Sequence, residues 1–398
     1  MPAAKARRPR PAAPCPHFPR CAGCPWVGVP YPEQLARKTQ RVREALAAFP
    51  SLADARVLPL RPAPRVLGYR SVVKLVARRV RGELRLGVYR RGTHQVVDVR
   101  QCAAHHPFAN AVLARLAGLV ERIDVPTYDE TTREGWLRYV LVRVGAGRRA
   151  QVVLVVRDRS FARERELLAA LRGVRGVAGV ALNLNDDPGN AILGPRFAAD
   201  SGARTLAERM FGLEVESRAG SFLQANPRAA RAAYARVIGL ADVSPGTRAL
   251  DLFCGVGAVA LALAREGADV HGIDASERAI GDARANAARN RVHGVRFSVG
   301  NARPMLRELA GAGARVDLVT LNPPRRGAGP EVCETLAALA PRRVVYMSCD
   351  PGTLARDLDD LAACSYRTLR IEPFDFLPHT EHVEAVALLE AESDAAGR

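Results

Sequence analysis

The sequence predicts an α/β protein whose carboxyl-terminal half is an open, mostly parallel sheet, preceded by a unit of α+β character. Three observations carry this. From about Pro245, strand-like apolar runs alternate with helical runs, the grammar of a sheet wound with helices. The run 248–253 empties into Cys254-Gly255-Val256-Gly257-Ala258, where Gly255 and Gly257 let the backbone approach a ligand closely. The run 344–347 ends in Ser348-Cys349-Asp350-Pro351 and passes into a helical stretch near Gly352. Such strand ends are where open α/β sheets hold their ligands.

At 398 residues, 48% of them hydrophobic, the chain is long enough for two or three packed domains. The sequence divides into a basic tail (1–14), an α+β unit (15–215), the sheet unit (216–392) and a short flexible end (393–398). Residues 1–14 are rich in Ala, Pro and Arg and lack a signal peptide's apolar core, so a disordered tail on a cytoplasmic protein is expected. No run of about twenty apolar residues occurs, so no membrane span is expected. The formal charge of +18 suits a polyanionic partner such as RNA. That inference is tempered because only Lys5, Lys38 and Lys74 are lysines; arginine- and alanine-rich composition also reflects genome bias.

Eight cysteines are present, and four of them, Cys15, Cys21, Cys24 and Cys102, form a compact trio with one distant partner. Four converging thiolates can hold a tetrahedral zinc or an iron–sulfur cluster. Zinc sites usually show two tight pairs, so this spacing favours a four-iron cluster, with His17, His105 and His106 keeping zinc open as the alternative.

In the rest of this half, an amphipathic helix is expected over 31–48, with Arg37, Lys38, Arg41 and Arg43 on a solvated face. Short strands follow within 68–99, with turns at Gly82 and Gly92, then a helix at 109–122. Further strands are expected at 137–144, 150–156 and 180–185, with a helix at 162–171, and another short strand near 213–216.

In the carboxyl-terminal half, the strand after the glycine turn ends in Asp274, about twenty residues on, where an acid can hold a ribose hydroxyl pair. A nicotinamide dinucleotide is the rival ligand, but the third glycine of its fingerprint is missing: Val259 and Ala260 stand there. The strand 316–321 ends in Asn322-Pro323-Pro324-Arg325, whose prolines stiffen a loop that presents polar groups.

The segments Gly220-Ser221-Phe222-Leu223-Gln224-Ala225-Asn226-Pro227, Asp251-Leu252-Phe253-Cys254-Gly255-Val256-Gly257, Asn322-Pro323-Pro324-Arg325-Arg326-Gly327, Met347-Ser348-Cys349-Asp350-Pro351 and Pro378-His379-Thr380-Glu381-His382-Val383-Glu384 occur in this order. The set resembles the RNA uracil-C5 methyltransferase family from about Cys15 to Leu389. The resemblance implies a class I methyltransferase Rossmann-like sheet of seven strands, the last antiparallel, preceded by a central RNA-binding domain whose cysteine loop holds a [4Fe-4S] cluster. It implies S-adenosyl-L-methionine as methyl donor, Cys349 as nucleophile and Glu384 as base. Gln224, Phe253, Asp274 and Asn322 then become cofactor or site contacts beside Gly255 and Gly257. The lack of a preceding TRAM barrel and the Asn-Pro-Pro-Arg-Arg-Gly wording are nearest the 23S ribosomal RNA (uracil-747-C5) branch, which also includes relatives acting on the tRNA T-loop uridine. Asn322 stands where a neighbouring branch carries Asp, Asp350 where Asn is frequent, and Ala258 where a polar residue could contact the cofactor.

This chemistry needs these residue types. Uracil C5 attacks a sulfonium methyl only after a thiolate has added to C6, and the C5 proton must then leave before the thiolate can be eliminated. A glutamate in apolar surroundings can serve as that base. A base in folded RNA must first be turned out, at a cost of about a few kcal/mol. Two other classes are weighed: an inactive RNA-binding protein of the same fold, which an intact Cys349 and Glu384 disfavour, and a cluster-bearing redox enzyme, for which no nicotinamide or flavin motif exists. No obligate protein partner is expected.

Overall fold

The computed structural model describes residues 15–189 and 191–392; the expected tail at 1–14 and flexible end at 393–398 lie outside the described residues. The first helix, α1 (Tyr31–Ala47), has Pro32 in its opening turn, where a missing N–H costs nothing. A short strand, β1 (Arg56–Val57), follows.

Strands β2 (Val72–Val80), β3 (Glu83–Tyr89) and β4 (Val96–Asp98) form a meander, and helix α2 (Pro107–Arg122) crosses to β5 (Leu137–Val144) and β6 (Ala150–Val156). Helix α3 (Glu164–Arg172) connects β6 to β7 (Val177–Leu184), the parallel step in an otherwise antiparallel sheet that ends with β8 (Arg196–Gly202). The seven strands run in the order β4-β3-β2-β5-β6-β7-β8. Leu86, Leu113, Leu116, Leu154 and Leu167 meet in the core under α2 and α3. On the other face Tyr139, Leu141, Val153 and Ala219 form a second, smaller core. Two covered faces explain why β5 and β6 are buried along their whole length without alternation, Arg138, Arg143 and Gln151 included.

The hairpin β9 (Thr205–Met210) and β10 (Leu213–Arg218) precedes helix α4 (Pro227–Ala241). The alternating region then runs β11 (Arg248–Leu252), α5 (Ala258–Arg265), β12 (Asp269–Asp274), α6 (Glu277–Asn290), β13 (Val295–Val299), α7 (Ala302–Gly311), β14 (Leu318–Leu321), α8 (Pro330–Ala338), β15 (Arg343–Ser348), α9 (Pro351–Ala363), β16 (Tyr366–Phe374) and β17 (Glu384–Ala391). The sheet order is β1-β16-β17-β15-β14-β11-β12-β13. Strands β11 to β15 pair in parallel, and β17 inserts antiparallel between β15 and β16. This is the class I methyltransferase fold with its seven strands, and an eighth is added.

That eighth strand is β1, which pairs in parallel with β16. The segment that supplies it does not stay with the amino-terminal sheet: Val42, Leu46, Leu52 and Leu60 join the core formed with β14, β15, α8 and α9. Lys38, expected on a solvated face, is fully buried with its Nζ 2.6 Å from Asp375 Oδ1. The hydrophobic stripe of α1 is wide enough to seat against α9, and the lysine at its margin is neutralised by an acid from the opposite end of the chain. No helix of the described residues is long and apolar enough to cross a membrane.

Candidate active site

Strand β15 delivers Cys349 one residue past its end. The turn is fixed from both sides: Asp350 N–H donates to Ser348 Oγ (3.2 Å), and Asp350 Oδ1 accepts from the N–H groups of Gly352 and Thr353 (3.0 and 3.1 Å) as the N-cap of α9. Asp350 is therefore an ordinary acidic cap on a helix with Pro351 at its start, which explains why an acid serves here. Cys349 is half-buried. Its thiol pKa is raised, first by burial and then by the carboxylate of Glu384, while Arg325 pulls the other way.

Glu384 arrives from the opposite direction. In the antiparallel β15–β17 ladder Ser348 pairs with Ala385, so one further step places Cys349 and Glu384 abreast. On its other side Glu384 pairs with Phe374 of β16. Part of the residue reaches the surface, but Oε2 is enclosed and has no hydrogen-bond partner among the described residues. Burial raises the carboxyl pKa from 4.5 to about 7, against the pull of Arg325. The exposed Arg325 guanidinium, 3.5 Å from His382 Nδ1, thus acts on both groups.

The glycine turn lies on the same edge of the sheet. Phe253 (φ 59°), Gly255 (φ 56°) and Gly257 (φ 83°) all adopt left-handed backbone. A Cβ on Gly257 would come within 2.8 Å of the Phe297 ring, whereas one on Gly255 would meet nothing within 4 Å, so Gly255 is required for conformation and leaves open space above the turn. Asp251 braces the turn from below, accepting from Ala260 N–H (3.1 Å) and Thr320 Oγ1 (2.8 Å), and burial lifts its pKa to about 7. Asp274 accepts from Gly255 N–H (2.9 Å) with one oxygen and Ser276 N–H (2.8 Å) with the other. Each oxygen keeps a further lone pair for a ligand hydroxyl. Asn322 follows β14, its backbone N–H 3.3 Å from Leu252 O, and its half-buried side chain makes no hydrogen bond among the described residues.

Gln224 sits in the loop before α4. Asn226 caps that helix through Ala229 N–H (3.2 Å) and donates to Phe376 O (3.0 Å), so the loop is tied to the segment leading to Glu384. Gln224 lies beside Tyr234, whose phenol pKa is pushed to about 12 by burial, with Gln224 pulling it down and Glu384 and Asp251 adding to the rise. Sequence reasoning missed Tyr234: a tyrosine seven residues into a helix carries no signal of its own. Phe222, two residues from Gln224, is 73% exposed beside the site.

Gly255, Gly257, Asp274, Asn322, Cys349 and Glu384 are therefore brought to one sheet edge. The four clustered cysteines are brought together elsewhere, lining one cavity of about 70 Å³ with Arg70 and His105. A different group, Cys333, Asp357 and Asp360, has ligand-type atoms within 4.8 Å of one another. Asp357 is already saturated by Tyr346 Oη (2.5 Å), Ala328 N–H (2.7 Å) and Arg356, so it braces the Pro-Pro-Arg loop and has no free charge for a cation.

The fold and this edge define a class I methyltransferase. The profile of a family described as tRNA (Uracil-5-)-methyltransferase matches residues 205–392. An RNA methyltransferase of Geobacter sulfurreducens is 39% identical over 374 residues, covering 93% of this chain and 75% of its own. One of Gloeobacter violaceus is 34% identical over 95% of this chain and 82% of its own. Among solved structures, the Pyrococcus abyssi tRNA (uracil-54, C5)-methyltransferase in complex with S-adenosyl-L-homocysteine superposes with a TM-score of 0.76 at 26% identity, covering 93% of this chain and 86% of that one. The chain belongs to the RNA uracil-C5 methyltransferase family and is an enzyme of that class.

The raised Glu384 pKa has a thermodynamic consequence. Below pH 4.5 the carboxyl is protonated in folded and unfolded chains alike and costs nothing. As pH rises to about 7 the unfolded chain ionises first, so folding stability is progressively lost. Glu384→Gln should therefore match the native chain in stability near pH 4.5 and exceed it above pH 7, as read by urea denaturation at each pH. An equal gap at both pH values would show that the carboxyl is not perturbed.

Proposed function

We propose that this chain forms 5-methyluridine in RNA with S-adenosyl-L-methionine as methyl donor, acting in the cytoplasm, with 23S ribosomal RNA as substrate. The observation that carries the reading is the placement of a half-buried thiol, Cys349, abreast of an enclosed carboxylate, Glu384, at the edge that holds the glycine turn. The ribosomal assignment rests on the Asn322-Pro323-Pro324-Arg325-Arg326-Gly327 wording. The likeness to the Pyrococcus tRNA enzyme over 93% of the chain favours a second reading, the same chemistry on the tRNA T-loop.

The donor supplies its methyl as a sulfonium substituent. Asp274 and Asn322 offer free hydrogen-bonding capacity for it near the Gly255 turn, and Gln224 and Phe253 are the further contacts that the family resemblance implies. Cys349 must ionise to add to uracil C6. Since burial and Glu384 both oppose ionisation, Arg325 is the group that eases it. Addition moves the C5–C6 electron pair onto C5 and O4, and C5 takes the methyl. Glu384 then removes the C5 proton: its pKa near 7 leaves it substantially ionised at neutral pH yet basic enough to accept. The electrons of that C–H bond restore the double bond and expel the Cys349 thiolate.

Cys15, Cys21, Cys24 and Cys102 fit a [4Fe-4S] cluster better than zinc. Zinc–sulfur bonds of about 2.3 Å place tetrahedral thiolates about 3.8 Å apart, whereas among the described residues no three of these sulfurs lie mutually within 4.8 Å. The wider spacing suits the corners of a cubane. Burial and neighbouring thiols hold the Cys24 pKa up at about 12, and Arg70 opposes this; the cationic side chain would likewise balance an anionic cluster. Anaerobically purified protein should contain iron and acid-labile sulfide in equal amounts, and Cys24→Ser should lose both; zinc in their place would overturn the cluster.

The function is tested by incubating purified protein and S-adenosyl-L-methionine with unmodified 23S ribosomal RNA and tRNA and mapping 5-methyluridine by mass spectrometry. One new methyl in the ribosomal RNA supports the proposal, tRNA methylation alone replaces the substrate, and neither leaves an inactive RNA-binding protein. Cys349→Ala should abolish turnover while RNA binding persists. Glu384→Gln should methylate once and stall as a covalent protein–RNA adduct on denaturing gels.

A further inference from the structure

The segment from Asp375 to Glu381, which delivers Glu384 to the site, makes most of its polar contacts with residues at the other end of the chain. Asp375 Oδ1 accepts from Lys38 Nζ (2.6 Å) and Oδ2 from Tyr31 Oη (2.8 Å), and the backbone N–H of Asp375 donates to Arg61 O (3.0 Å). Lys38 Nζ also donates to Leu377 O (3.1 Å), and Tyr69 Oη to Pro378 O (3.1 Å). Gln34, fully buried, accepts from His379 N–H (2.8 Å) and meets His379 Nδ1 at 3.1 Å, while Trp26 N–H donates to His379 O (2.9 Å). Arg41 donates to Glu381 O (2.8 Å).

Two features set this apart from ordinary packing. The Lys38–Asp375 pair has no side-chain exposure on either partner. A buried ion pair seldom adds net stability over an apolar pair of similar shape, but it fixes geometry, since removing either charge strands the other. His379 is held at φ 67°, a left-handed conformation that non-glycine residues rarely adopt, at the point where Gln34 and Trp26 grip both sides of its peptide. The segment is pinned into a path it would not take alone, and the path ends at Glu384.

We propose that Lys38 is a positioning residue for the reaction: through Asp375 it holds the 375–383 segment so that the Glu384 carboxylate reaches the C5 proton. The inference rests on the reading of Glu384 as the base. Fully enclosed with Asp375, Lys38 acts only through Glu384, and so on the step after methyl transfer.

The test uses full-length protein carrying Lys38→Met, the paired Lys38→Met/Asp375→Asn change and the milder Tyr31→Phe, with Glu384→Gln as control. The substrate is whichever RNA the mapping identifies. Lys38→Met should lower kcat by about 100-fold, the order expected of an ångström-scale displacement, with KM for RNA little changed. It should accumulate the same covalent adduct as Glu384→Gln. Amide hydrogen exchange should quicken across residues 375–384, and the paired change, which removes the clasp without stranding a charge, should keep the adduct and the lowered turnover; full recovery would assign the Lys38→Met effect to the stranded charge alone and overturn the proposal. A folded Lys38→Met protein that loses activity without adduct, or keeps full turnover, overturns the proposal. If that variant fails to fold, Tyr31→Phe decides: a raised adduct fraction supports positioning and an unchanged one overturns it. Absence of adduct in Glu384→Gln itself would instead overturn the assignment of the base.

Discussion

The structure depends on one strand running the wrong way. Five strands of the carboxyl-terminal sheet pair in parallel and present their ends, with their loops, along one edge. Parallel strands can bring only carboxyl ends to that edge. By inserting β17 antiparallel between β15 and β16, the fold brings a strand's first residue there as well. Cys349, which follows a strand, and Glu384, which opens one, can then stand abreast on adjacent strands. The register fixes where β17 opens, and the segment 375–383 that leads into it sets how the Glu384 side chain approaches.

That arrangement has an electrostatic cost. Glu384 carries an enclosed oxygen with no donor, and Cys349 is half-buried beside it, so each group opposes ionisation of the other. A fold selected for stability alone would place a donor against Oε2. Leaving it unpaired keeps the carboxylate basic at neutral pH. Arg325 moderates both groups from an exposed position, where solvent screens its charge, so it lowers both pKa values without quenching the base.

Much of the site was legible in the sequence because its chemistry sits at element boundaries. Glycines with left-handed backbone, an acid closing a strand and a Ser-Cys-Asp-Pro cap are written in short-range grammar, and the structure puts Gly255, Gly257, Asp274 and Cys349 at those boundaries. Helix α1 was legible almost to the residue, but its destination was not. Hydrophobic periodicity says which face of a helix is buried and nothing about what it is buried against, and Lys38 on its margin reads as solvated until Asp375 is seen opposite. Strands β8 and β9 were not expected: Arg196–Gly202 and Thr205–Met210 mix charge and small residues, and pairing, of β8 with the largely apolar β7 and of β9 with the alternating β10, rather than propensity, makes them strands. Tyr234 and Asn226 gain meaning only from the elements facing them.

The contacts on the segment that leads to Glu384 are also among the longest in the sequence. Lys38 and Asp375 are 337 residues apart, and Gln34 and His379 are 345 apart. Such contacts close the largest loops in the chain, at an entropic cost that grows only slowly with length. They form with correct geometry once β1 has joined β16 and α1 has seated on α9, because those packings carry the partners. Trp26 and Gln34, two of the residues that grip His379, follow directly on the Cys15–Cys24 loop, and Arg70 at the cysteine cavity neighbours Tyr69, which holds Pro378. The cysteine loop is thus contiguous with the clasp on the catalytic segment. The amino-terminal segment and the stretch that leads to Glu384 are, in this fold, parts of one hydrogen-bonded structure.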